Sequence, residues 1–141
     1  MSRLMSLLIL ALCSATAFAN DTEDCVRTKI WDTYGDGWSV RTSTTADLEF
    51  GKTKFYRSTL LEGRQYRILS CAEEGVKNLD VLLYDKDGQV LTRDDTDQRD
   101  PMLSFSPEAT GVYYVVLYLR DASGKAPTAQ ATWALIHSDK E

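Results

Sequence analysis

Eight consecutive residues, Trp31-Asp32-Thr33-Tyr34-Gly35-Asp36-Gly37-Trp38, place two carboxylates and three aromatic rings around a pair of glycines. Two chemistries suit that pattern. Asp32 and Asp36 carry oxygen ligands of the kind calcium takes, beside glycines that let backbone carbonyls turn inward. Trp31, Tyr34 and Trp38 offer flat faces on which sugar rings or a protein partner could settle. Packing competes with both, because the glycines permit a tight turn whose aromatic residues simply cover the edge of a fold. The other dense source of oxygen ligands is Asp94, Asp95, Asp97 and Asp100, with Asp80, Asp85 and Asp87 nearby. Its spacing is not that of an EF-hand: Asp85-Lys86-Asp87-Gly88 lacks the third ligand position, and Asp94 stands where the bidentate Glu belongs. Calcium is thus a candidate ligand at either segment, no cofactor is required, and the competing reading of the acidic run is a set of solvated hairpin turns.

Classical catalysis finds little material. His137 is the only histidine, so any Ser-His-Asp arrangement must run through it and a His-rich zinc site is excluded. Hydrolysis by paired carboxylates needs no histidine, but it needs a shaped cleft that a small domain must build from loops. The sequence therefore predicts a protein that is not an enzyme. All 21 Asp and Glu lie beyond residue 19, while Arg3 alone of the 16 Lys and Arg lies before it, giving residues 20–141 a formal charge of −6. With basic residues scattered singly on an acidic chain, nucleic acid is not the expected partner.

The chain has 141 residues, and its first 19 have the form of a secretory signal. Arg3 supplies the positive start, Leu4 to Leu12 the apolar centre, and Ala17-Phe18-Ala19 a small-x-small cleavage site before Asn20. That apolar run is too short to span roughly 30 Å of hydrocarbon, and no other stretch approaches the ~20 residues a transmembrane helix needs. Leu10-Ala11-Leu12-Cys13 has a lipobox outline, but Leu12 occupies the position that should be small. Residues 20–141 then form a single exported domain, periplasmic or secreted. They contain Cys25 and Cys71, an even pair in an oxidising compartment, which predicts a disulfide. A reactive thiol is disfavoured by the lack of a CxxC motif.

Short alternating runs separated by turn residues predict an all-β domain. Candidate strands are Val26 to Trp31, Trp38 to Thr42, Lys54 to Leu60, Gln65 to Cys71, Leu79 to Tyr84, Gln89 to Arg93, Met102 to Ser106, Val112 to Leu119 and Ala129 to His137. Eight or nine short strands suit a two-sheet antiparallel β-sandwich, jelly-roll-like in plan. Asp87-Gly88 has the composition of a type I′ hairpin turn, in which both central residues take positive φ. The run from Val112 to Leu119 is apolar on both faces and belongs inside a sheet. Residues 120–128 are polar, with Gly124 and Pro127, and read as an exposed loop.

Residues 80–115 resemble the bacterial pre-peptidase C-terminal domain, a jelly-roll-like sandwich appended to many secreted peptidases. The matching positions are Asp80, Leu83, Tyr84, Asp85, Gly88 and Leu91, then Phe105, Pro107, Gly111, Tyr113, Tyr114 and Val115. Gly63, Tyr66 and Ile68 extend the similarity, which runs from about Val40 to His137. The resemblance implies a non-catalytic module that accompanies other proteins. The segments Val116-Leu117-Tyr118-Leu119-Arg120 and Ala131-Thr132-Trp133-Ala134-Leu135 are also similar to the end of the periplasmic inhibitors of invertebrate-type lysozymes. Those proteins carry a Ser-Gly-x-x-Tyr signature in their inhibitory loop, whereas the Ser123-Gly124 pair here is followed by Lys125, Ala126 and Pro127.

The sequence thus points to an exported, non-catalytic β-sandwich that binds a protein or polysaccharide partner at the cell envelope or outside the cell. An inhibitor of a cell-wall hydrolase and a carbohydrate-binding module using Trp31, Tyr34 and Trp38 are the alternatives.

Overall fold

A computed structural model describes residues 20–122 and 127–139; the expected signal segment, 1–19, and the Ser123-Gly124 pair lie outside them. The first element corrects the sequence reading, because Val26 to Trp31 is not a strand but part of a helix, α1 (Asp21–Tyr34). Val26, Thr28 and Ile30 alternate with polar neighbours and so mimic a strand. The residues ahead of them decide otherwise. Asn20 caps the helix by accepting a hydrogen bond from the Thr22 N–H, and Asp21, Glu23 and Asp24 place negative charge at the positive end of its dipole. The apolar face amounts to Val26 and Ile30 with Cys25 beside them, two turns at most, which is too short a repeat to stand out in the sequence.

Eight strands follow: β1 (Ser39–Glu49), β2 (Thr53–Leu60), β3 (Gln65–Ala72), β4 (Val76–Tyr84), β5 (Val90–Asp94), β6 (Met102–Phe105), β7 (Gly111–Ala122) and β8 (Thr128–Ser138). They form two four-stranded antiparallel sheets, ordered β1-β8-β3-β6 and β2-β7-β4-β5. Only the β4–β5 connection stays within a sheet; each of the others crosses from one sheet to the other, which is jelly-roll topology. The two-sheet sandwich expected from the sequence is what forms, and β7 lies inside its sheet as its doubly apolar pattern requires.

Strand ends differ where the local pattern is weak. β1 continues seven residues past Thr42, because its pairing with β8 runs from Ser39 opposite His137 to Glu49 opposite Thr128 and carries the polar stretch Ser43 to Thr45 along with it. Pairing likewise extends β7 to Ala122 and starts β8 at Thr128, so the ends of the expected 120–128 loop are strand. The β4–β5 hairpin forms, but not with a type I′ turn: Gly88 alone has positive φ, at 80°. Its N–H bonds to the Asp85 carbonyl, and the Asp85 carboxylate accepts from the N–H groups of Asp87 and Gln89. That carboxylate does the work that a left-handed Asp87 would otherwise do.

The main core lies between the sheets, where Leu79, Val81 and Leu83 of β4 and Leu117 and Leu119 of β7 meet Ile68 of β3 and Trp133 and Leu135 of β8. The Trp133 ring packs tilted against Tyr56 from the opposite sheet, with centroids 4.9 Å apart. A second layer buries the outer face of the β1-β8-β3-β6 sheet. There α1 sets Val26 against Cys71 and Ala134, and Ile30 reaches both that cluster and the neighbouring Trp38, Leu69 and Ile136. The first sheet is therefore covered on both sides. Among the described residues no element lies over the outer face of the second.

Candidate functional site

Cys25 and Cys71 are joined, as expected, and the bond ties α1 to β3. A chain of hydroxyls fixes the start of the same helix. Thr22 shares a hydrogen bond of 2.8 Å with Thr132, Thr132 shares one of 2.7 Å with Thr45, and Thr45 donates to the Glu23 carboxylate. Every polar atom in that seam finds a partner across the helix–sheet boundary, as buried hydroxyls must.

The WDTYGDGW segment divides. Trp31 and Tyr34, on the last turn of α1, are 75% and 63% exposed and tilt toward each other with ring centroids 5.7 Å apart. Asp32 and Asp36 stand in solvent beside them. After Tyr34 the chain turns through Gly37, whose φ of 84° suits glycine, and delivers Trp38 inward. Trp38 is only 8% exposed, packed with Leu69 and Ile136 beneath the Arg67 guanidinium, which lies 4.2 Å from the ring centre. Of the three expected platform residues, two share a surface and the third belongs to the second core layer.

The acidic run is distributed rather than gathered. Asp94 accepts hydrogen bonds from the Thr96 N–H and hydroxyl, the Gln98 amide and the Met102 N–H. Burial acts to raise the Asp94 carboxyl, but those donors outweigh it and hold the group below the usual carboxylate range. Asp95 faces Arg93 at 3.5 Å, Asp97 accepts from Asn78, and Asp100 pairs with Lys29 of α1 at 3.1 Å. Asp80 takes a two-point contact from Arg120, at 3.1 and 2.9 Å. Among the described residues no three His, Cys, Asp or Glu side chains converge on a common point. A ligand that binds only the folded state raises the melting midpoint. The expected result is the same midpoint in millimolar calcium as in chelator; a clear rise with calcium would mean that these carboxylates regroup around an ion.

The structure adds a surface that the sequence does not reveal. On the outer face of the second sheet Phe55 and Leu82 flank Val116 in one row, and Arg57 and Tyr84 flank Tyr114 in the next. Phe55 is 61% exposed. Together with Tyr84, Tyr114 and the turn residues Asp85, Lys86 and Gly88 it lines a groove of about 400 Å³. The sequence shows Phe55 and Tyr56 side by side in one strand, so one of them must point outward, but only the pairing with β7 decides which. Tyr56 goes in to meet Trp133, and Phe55 goes out.

No family model matches the chain, so the resemblance of residues 80–115 to the pre-peptidase C-terminal domain stands on its motifs alone. No curated protein matches it by sequence either. Among solved structures, the crystal structure of PliG from Aeromonas hydrophila, a periplasmic lysozyme inhibitor of g-type lysozyme, superposes with a TM-score of 0.54. The likeness is one of fold. Identity is 13%, over 69% of this chain and 85% of PliG. Among the described residues no helix is long and apolar enough to cross a membrane.

Proposed function

We propose that the protein is an exported, non-catalytic inhibitor that binds a cell-wall hydrolase of the lysozyme type. The observation that carries this reading is the fold shared with PliG across 85% of that inhibitor. Three features of the chain support it. Residues 1–19 have the form of an export signal, the Cys25–Cys71 bond suits an oxidising compartment, and the carboxylates of the acidic run are engaged in turns and ion pairs rather than assembled for acid–base chemistry. The resemblance over residues 80–115 implies an accessory binding module; the inhibitor reading is one form of such a module and names the partner.

Titrating the purified protein into goose-type, chicken-type and invertebrate-type lysozymes during lysis of peptidoglycan tests the proposal. The expected result is stoichiometric loss of goose-type activity with the invertebrate-type enzyme spared, because the Ser-Gly-x-x-Tyr signature of the latter's inhibitors is missing. No inhibition of any class at a hundredfold excess would remove the proposal. Retention on insoluble peptidoglycan without any enzyme would favour the carbohydrate-binding alternative, through the exposed Trp31 and Tyr34 pair.

A further inference from the structure

We infer that the hydrolase docks on the outer face of the second sheet, around Phe55, Arg57, Tyr84 and Tyr114. The inference rests on the inhibitor reading and adds the surface to it. The two sheets differ in one respect that matters here: α1 covers the outer face of the first, and no described element covers that of the second. What the second leaves exposed is an aromatic and arginine-bearing surface, the residue types that carry most of the binding energy at protein interfaces. These side chains stand on paired strands rather than on loops, so little backbone freedom is lost when a partner settles on them. The groove beside Phe55, about 400 Å³, is large enough to receive a side chain from the partner.

Charge selects the kind of partner. The chain is acidic as a whole, yet Arg57 has no ion-pair partner among the described residues, whereas Arg93 and Arg120 on the same sheet are held by Asp95 and Asp80. Glycoside hydrolases of the common type carry two carboxyl groups that flank the scissile bond, and the cleft around them is therefore negative. An unpaired guanidinium amid aromatic rings complements such a cleft, since it can take a carboxylate by a two-point hydrogen bond. The rival surface, Trp31 and Tyr34, has Asp32 and Asp36 in solvent beside it and would bring like charges together, whereas Asp85 in the groove already accepts hydrogen bonds from the Asp87 and Gln89 N–H groups and stands beside Lys86.

The test compares the unmodified protein with Phe55→Ala, Arg57→Glu and Trp31→Ala, measuring inhibition of goose-type lysozyme and the thermal midpoint of each. Phe55, Arg57 and Trp31 are exposed, so all three variants should melt with the unmodified protein. Phe55→Ala and Arg57→Glu are each expected to weaken inhibition about thirtyfold or more, and Trp31→Ala to leave it unchanged. Full inhibition by the double variant Phe55→Ala, Arg57→Glu would overturn the docking face while leaving the inhibitor reading intact, as would loss of inhibition by Trp31→Ala. If the unmodified protein inhibits no lysozyme, both fall together.

Discussion

Replacing Cys25 and Cys71 together by Ala is expected to lower stability by roughly 4 kcal/mol, the chain-entropy figure for a cross-link closing a loop of this length. The bond does more than shorten the unfolded chain, because it holds α1 on the face of β3 where Val26 meets Ala134 and Cys71 itself. Loss of the bond should therefore loosen the helix first. Denaturant unfolding of the oxidised protein, of the protein in reductant and of the double variant gives the measurement. Coincident midpoints in all three would show that burial of Val26 and Ile30 secures the helix unaided.

Trp38→Ala is expected to cost about 3 kcal/mol, the lower end of the range for truncating a large buried aromatic, because the residue keeps 8% of its exposure on the outer face of the first sheet. Inhibition, measured on the folded fraction, should not change. A recognition residue behaves the other way round: an unmoved midpoint with lost inhibition would place Trp38 at the interface and overturn its structural role. The two largest effects are not expected to add. Ile30 touches both the Cys71 cluster and the Trp38 cluster, so removing the bond and the ring in one chain disturbs a single seam twice.

How far the sequence reaches can be judged from particular residues. The sandwich was legible because the short apolar runs of β3, β4 and β8, bounded by turn residues, and the doubly apolar β7 reflect burial against the whole fold. The disulfide was legible because the two cysteines beyond the expected signal leave one pairing. The helix was hidden by three β-branched residues spaced like a strand, and the cap that overrules them, Asn20, sits at the end of the expected signal, where it reads as part of the cleavage region. The turn at Gly88 was found but its geometry was not, since the deciding hydrogen bonds come from the Asp85 side chain. Of the candidate sites, the aromatic segment drew attention through its composition, while the Phe55 face has ordinary composition and exists only through register. Neighbouring rings on three strands separated by up to sixty residues form a surface that no local window contains.

The strand order also bears on how the chain is made. In the first sheet β1 pairs with β8, and in the second β2 pairs with β7, so the earliest strands find their neighbours only among the latest. A ribosome must release almost the entire chain before either sheet can close. Folding that depends on such distant pairings is slow, because the loops between them must be closed before any contact rewards it. A nascent chain of this topology cannot complete either sheet through most of its synthesis, which is the condition in which a polypeptide can still be threaded through a membrane.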